Sequence, residues 1–549
     1  MKEMLENINS KFNNMKKEAS VWTSSWKDIA EWTRPSRSKD EGDKINDGTE
    51  FDAQHLLNGT SQLVVRTFAS GMLGGMTSPS RKWFRLQVED KELNLDNEVK
   101  QFLERAENAI SIVFSKSNVY EVLYSMFEEI GLFATACAII EEDYDTVIRL
   151  KNFTAGEYYL ANDSTGRVNS MAREFTMTVS NVVEMFGIDN VSSNVKNSYD
   201  NKEFEKNVIV RHIIMPRKQI DSSKKDNLNM PYASYYWEKS SNENKFLRES
   251  GYKAFPVIAP RWGLVATSDV YGKNSPGWEG LGDAKMIQEL EEDSLVNLAL
   301  IAKNPLLVDA DIDDYDLRPA GITRVSNLDS SNGVRPVDIV QADIERIDRK
   351  ILRVEDRLGR VWYTDLFLMF SSNDDPRATA TEIIKKDGEK MLVLAPALEK
   401  VNNEGLGPLI DITFTKLLEA GMLGDIPESL DGSEIKIEYI STIAQAQRMI
   451  GTSSIEQLIG FTGNLVAVDP TVLDNLDLDQ AINEYADKLG VSAKIVRSKE
   501  AIAEIRQGRA EQQQKAEAQQ EAGAMVQGAK VLSDTKIQDN TALSALMGE

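Results

Sequence analysis

The chain has 549 residues, enough for several domain-sized units, and its 63 Lys and Arg against 87 Asp and Glu leave a net charge of −24. That balance excludes a protein whose whole surface grips nucleic acid, because phosphate binding runs on clustered cations. No stretch approaches the roughly 18 apolar residues that span a bilayer, and the first twenty residues lack the apolar centre of a signal peptide.

In chain order, residues 1–35 read as an amphipathic helix with Trp22, Trp26 and Ile29 on one side, stopped at TRPSR. A polar loop follows, then helices over 52–73, 95–115 and 119–138. The last carries Cys137 in the apolar run GLFATACAII, which reads as a buried structural thiol. As the single cysteine it excludes an internal disulfide and fits a reducing compartment. From 145 to 260 the texture becomes β: DTVIRLKNF, GEYYLAND, RVNSMAREFTMTV, NVIVRHIIM, YASYYWEK and FPVIAPRW read as strands, with a helix and a polar loop over 180–205.

A helix is expected from about Glu279 to Lys303, ended by Asn304-Pro305. Residues 304–340 read as a small strand-and-turn insert of net charge −4, seven Asp against Arg318, Arg324 and Arg335. Asp309, Asp311 and Asp313 stand at calcium-loop spacing. However, Asp314 occupies the position that needs Gly and Ala320 the position of the bidentate Glu, so a solvated acidic loop is the default. The next helix, 341–370, has the clearest period in the chain. Ile344, Ile347, Ile351, Val354, Leu358 and Val361 form an apolar seam. One position before five of them lie Arg346, Lys350, Arg353, Arg357 and Arg360, a basic stripe; the helix before the insert is acidic instead. A short loop with Asp374, Asp375 and Arg377 then leads to helices over 378–400 and 405–422 and one strand, SEIKIEYIS. From Pro470 onward the chain is Pro-free and rich in Ala, Gln and Glu, a good helix former and a poor core former.

The usual catalytic groups are scarce. Two histidines, His55 and His212, and one cysteine do not supply a zinc site of ordinary spacing or a nucleophile elbow, and no P-loop is present.

The blocks WKDIAEWTRPS, GMLGGMTSPSRKWFRL, FPVIAPRW, YGKNSPGWEGLGDAK, RATATEI, LAPALEKVNNEGLGPLI and YISTIAQAQR, in this order, resemble the portal (head-to-tail connector) proteins of short-tailed bacteriophages. The likeness covers at least residues 20–450; no single block is specific, but the ordered set is. It implies an α+β, mostly helical subunit of a portal-type ring, usually of twelve copies, at the portal vertex of the virion capsid and assembled in the host bacterial cytoplasm. By position, 1–278 would be the wing with its β-rich part at 145–260. The stem would be 279–303 and 341–370, and the clip 304–340. The loop 371–377 would be the tunnel loop, 378–469 further wing and tunnel helices, and 470–549 a helical crown.

The resemblance further implies double-stranded DNA passing non-specifically and the tunnel-loop Asp374, Asp375 and Arg377 facing it. Clip residues Asp311, Asp313, Asp314, Arg318, Arg324 and Arg335 would dock a large terminase and later a tail adaptor protein. Major capsid and scaffolding proteins are the other implied partners, with no membrane, cofactor, metal or catalysis. The basic stripe is expected to act mainly between subunits. Two rivals remain at this point: another virion ring, such as a collar or tail tube, and a nucleic-acid enzyme holding magnesium on carboxylates.

Overall fold

The computed structural model describes residues 2–37, 55–89, 97–303, 343–369, 394–430, 435–441, 458–465, 470–482 and 502–515, with a few single positions omitted, and two short strands at 306–308 and 334–336. Residues 1–447 and 448–549 form two separate units.

The first unit is α+β. Helix α1 (Lys2–Thr33) buries Ile8, Phe12, Met15, Trp26 and Ile29 along one side, the stripe its period predicts. Just after it, Arg37 reaches Glu128 at 2.6 Å and Glu129 at 3.0 Å on α4 (Val119–Phe133). Burial pushes the Glu129 carboxyl up to about 7, against the pull of the Arg37 guanidinium. Helix α2 (Thr60–Met76) starts eight residues later than the period over 52–73 suggests, after a turn in which Asn58 Oδ1 accepts from the Thr60 N–H at 2.8 Å. Strand β1 (Phe84–Val88) and helix α3 (Asn97–Lys116) follow.

Helix α4 ends at Phe133, not at 138: Ala134 turns left-handed at φ 61° and Cys137 opens strand β2 (Cys137–Asp143). A short, fully buried apolar run suits a strand as well as a helix, and pairing decided it. Cys137 is buried, and burial raises its thiol far above the ordinary range. β2 lies between β3 (Val147–Phe153) and β9 (Val257–Ile258). β9 is far shorter than FPVIAPRW suggests, since Pro256 and Pro260 bracket it and cannot donate to a ladder.

A five-stranded antiparallel sheet runs β4 (Tyr159–Asn162), β5 (Val168–Thr178), β6 (Asn207–Pro216), β7 (Tyr232–Glu238) and β8 (Arg248–Tyr252), each beside the next in sequence order. β8 lacks alternation and was not anticipated. The excursion 180–205 holds two helices, α5 (Val179–Phe186) and α6 (Ser193–Asp200), capped by the hydroxyls of Thr178 and Ser192. Helix α1 crosses one face of this sheet, where Asn9 Oδ1 accepts from Trp237 Nε1 at 3.0 Å and from Arg211 at 3.1 Å.

Helix α7 (Pro276–Ala302) starts with Pro in its first turn. Strands β10 (Leu306–Val308) and β11 (Val334–Pro336) pair antiparallel, with Leu307 opposite Arg335. The single helix expected over 341–370 is two: α8 (Ile344–Val361) and α9 (Thr364–Met369), broken where Tyr363 turns left-handed at φ 56°. Trp362 and Phe367 both meet Phe68 of α2 edge-to-face at 5.6 and 5.7 Å, and that buried aromatic contact holds the break. Gly71 allows it, since a Cβ there would strike the Phe367 ring.

A further helix of the first unit is described from 394: α10 (394–401), a π turn at Asn402–Leu406, then α11 (Gly407–Glu419). Strand β12 (Ile435–Tyr439) returns to pair with β1. In the second unit, the described residues include helix 458–465, a short turn of helix at Pro470–Asn475, and a two-bonded ion pair between Arg506 and Asp479 at 2.6 and 2.7 Å.

Candidate functional site

The longest periodic element predicts its own packing. Ile351, Val354 and Leu358 of α8 are buried; Ile351 and Val354 pack with Ile287 of α7, and Leu290 and Ile347 lie beside them. Early residues of α7 meet late residues of α8, so the pair is antiparallel. An interior spine of this kind leaves the side of α8 away from the seam to face outward.

The basic stripe is all on that outward side: Arg346, Lys350, Arg353, Arg357 and Arg360 are exposed. Arg357 donates from Nε to Asp283 of α7 at 2.6 Å and makes a second bond to the same carboxylate, which raises its pKa further. Arg360 pairs one turn back with Asp356 at 2.8 Å. Arg346, Lys350 and Arg353 make no ion pair among the described residues, and neither do the exposed Glu289, Glu292 and Asp293 of α7. The far half of α7 also exposes Leu295, Val296, Leu298 and Ile301, at 44–53% each. That is a mixed apolar and charged surface of the sort that meets other protein.

Sequence reasoning missed the latch that fixes the helix pair to the body. The Asn58 backbone exchanges two 2.8 Å hydrogen bonds with the Gln288 side chain of α7. Its Nδ2 donates to Glu291 of α7 at 2.9 Å and to Glu355 of α8 at 3.0 Å, while Thr60 Oγ1 donates to Glu355 at 2.9 Å. Asn-Gly at 58–59 was read as helix interior; it marks a helix start, and that was the available signal. A second tie, Lys285 to Asp28 at 2.7 Å, joins α7 to α1.

The π turn is the other missed feature. Pro408 supplies no N–H, and in a regular α-helix its ring would strike the carbonyl of Glu404; the helix widens instead, with the Gly407 N–H reaching Asn402 O. Arg261, 2% exposed, fixes the widened turn by donating to both Glu404 oxygens at 2.9 and 2.6 Å. The same guanidinium also donates to the carbonyls of Asp269 and Gly166.

Asp374, Asp375 and Arg377, and Asp311, Asp313, Asp314, Arg318 and Arg324, lie outside the described residues, as does all of 378–393. Arg335 lies in β11. Of the two histidines, His55 hydrogen-bonds Glu31 O at 2.9 Å and His212 is buried within the five-stranded sheet. Among the described residues no three potential ligands gather to hold a metal, and no helix is long and apolar enough to cross a membrane.

Residues 5–496 match the family model described as bacteriophage head to tail connecting protein. The chain is 38% identical over 507 residues to a probable portal protein of Bordetella phage BPP-1, covering 92% of this chain and 91% of that one. It is 36% identical over 512 residues to a portal protein of Salmonella phage epsilon15, covering 93% and 92%. Among solved structures, the neck of an empty gene transfer agent particle matches at 10% identity and TM-score 0.34, over 74% of this chain and 90% of that one; a likeness so distant carries no argument.

Proposed function

The chain belongs to the bacteriophage head-to-tail connecting proteins and has the function of a phage portal; from that premise we propose that twelve copies close a ring at one capsid vertex and conduct DNA through its centre. The observation that carries the ring is the α7–α8 pair. It packs its seam inward and turns outward exposed apolar side chains together with acids and bases that make no ion pair among the described residues. A monomer gains nothing from that surface; a neighbour supplying the opposite charges would cover it.

In this reading α7 and α8 are the stem and the β10–β11 insert is the clip. The loop 371–377 lines the narrowest part of the channel, the body is the wing, and 470–549 is the crown. The clip docks the large terminase during packaging and the tail adaptor afterwards, while the major capsid and scaffolding proteins surround the ring in the bacterial cytoplasm. No catalytic step is assigned: the ring works by geometry and field, and the packaging motor's ATP chemistry belongs to a separate chain. Acidity suits a conduit, since tight phosphate binding would stall the duplex.

Electron microscopy of the purified protein tests the reading: rings with a central hole are expected, and a monomer at every concentration and salt would overturn it. Charge reversal at Asp311, Asp313 and Asp314 should leave rings intact and impair packaging; normal packaging would move the docking site elsewhere. Truncation at residue 500 should still give rings.

A further inference from the structure

The two faces of the five-stranded sheet treat their charges differently. On the face crossed by α1, the Glu174 carboxylate meets Arg211 at 2.8 Å, Lys239 at 2.9 Å and Lys16 at 3.5 Å. On the other face, strand register places Arg173, His212, Tyr236 and Arg248 directly opposite one another across β5, β6, β7 and β8. This row has no carboxylate of its own. Arg173 is 5% exposed, and its partners are neutral: its guanidinium lies 4.2 Å over the Phe175 ring and 4.9 Å over Phe153, and its Nε donates to His212 Nδ1 at 3.4 Å. An arginine only donates, so His212 keeps Nδ1 bare and carries its proton on Nε2, which bonds Ser234 Oγ at 3.0 Å. The imidazole stacks on Tyr236 at 3.8 Å, and Arg248 lies 5.1 Å over the other aromatic of the row and 5.5 Å over Phe186.

Lys151 of β3 faces the same space. Burial and the three cations Arg173, Arg248 and Lys151 together hold His212 well below its ordinary pKa, and burial and Arg173 lower that of Lys151. Glu141 of β2 favours the charged form of Lys151 but makes no ion pair with it among the described residues. None of the three cations makes an ion pair among the described residues.

Guanidinium does not shed its proton in a protein, and a buried cation left with aromatic rings alone is costly. Among the described residues no carboxylate reaches it, and one supplied by a neighbouring copy would relieve that cost. We propose that Arg173, Arg248 and Lys151 form an oxyanion site on the face of this sheet turned away from α1, entered at its exposed rim and occupied in the assembled ring by a carboxylate side chain of a second copy.

The choice of occupant follows from charge and reach. A chain of net charge −24 presents carboxylates to its neighbours in excess, and in a ring that repulsion is relieved wherever cations wait unpaired. A duplex backbone does not enter a row whose arginine on β5 is 95% covered, whereas a single Asp or Glu side chain at the rim, formed by the exposed Arg248 and Lys151, does. Arginine's fork suits a carboxylate with two bonds.

The inference rests on the ring reading, and the test separates the two. Rings of the full chain are titrated with sodium chloride and counted by mass photometry, for the wild type, Arg248→Gln, Lys151→Gln and Arg248→Lys. Both Gln variants should fold normally by circular dichroism and lower the salt midpoint of the ring on the order of two-fold, with Arg248→Lys retaining most of it. Arg173→Gln should do more but is the variant at risk of misfolding, so the rim variants decide. Rings that ignore both Gln substitutions overturn the proposal. Unchanged rings with weakened binding of a short DNA duplex, read by fluorescence anisotropy, would overturn it too and give the site to phosphate. A wild type that never assembles would sink the ring reading itself, and this proposal with it.

Discussion

The outer side of α8 and the inner row of the five-stranded sheet carry the same kind of charge in opposite circumstances. The five cations of the α8 stripe stand in water; among the described residues two find a carboxylate and the other three make no ion pair. In the sheet, Arg173 is shut between aromatic rings and, near the end of that half of the molecule, Arg261 is shut against Glu404. Water screens the first group, so it is free to serve assembly. The second group has lost its water and must be answered by a specific partner, which makes it part of the structure.

The contrast can be broken by substitution, most severely at Arg261. Arg261→Ala takes the guanidinium away from Glu404, which keeps the backbone N–H of residue 261, and from two backbone carbonyls, and should cost about 3–5 kcal/mol in urea unfolding followed by circular dichroism. A loss under about 1 kcal/mol would mean that buried and exposed arginines behave alike here. Next, Leu358→Ala removes a fully buried side chain from the inner side of α8 and should cost about 3 kcal/mol in the same measurement. That loss would show that α8 is held by its seam while its charges are spectators.

The third effect is set by pH. His212 has a folded pKa well below the unfolded value, so the unfolded chain takes up a proton that the folded chain refuses. Its contribution is complete above the unfolded pKa of about 6.5 and is lost as pH falls toward the folded one, at up to about 1.4 kcal/mol per pH unit. Compared with His212→Gln, the wild type should therefore lose relative stability below pH 6.5; parallel profiles would show that the imidazole is not held neutral. The smallest effect on folding should come from replacing Arg353 and Arg357 together with Gln. The unfolding midpoint should stay where it is, and only the salt resistance of the ring should fall. A drop in the midpoint itself would erase the distinction between the two regions.

The sequence made the regular parts legible and the exceptions not. The α8 seam could be read because one period runs unbroken for five turns and nothing competes with it. The end of α4 could not, because ATACAII is apolar on every side and its strand partners, 147–153 and 257–258, lie elsewhere in the chain. Tyr363 offers no Gly or Pro to announce a break; tertiary packing of Trp362 and Phe367 on Phe68 imposes it. The sheet row was illegible for the same reason: Arg173, His212, Tyr236 and Arg248 are spread over 76 positions and meet only through register. The family was legible because ordered blocks survive such local errors.

The π turn at Asn402–Leu406 also keeps time. Val401, Gly405, Leu409, Thr413 and Leu417 are all buried, one every four residues. An α-helix completes a turn in 3.6, so a strict count of four runs ahead by about 40° each turn and by about 160° over the sixteen residues. The one residue intercalated at the π turn takes back about 100° of that drift, as a leap day returns a calendar to its season. Without it, Val401 at one end would point about 160° away from Leu417 at the other, and one helix could not line a single wall of the core.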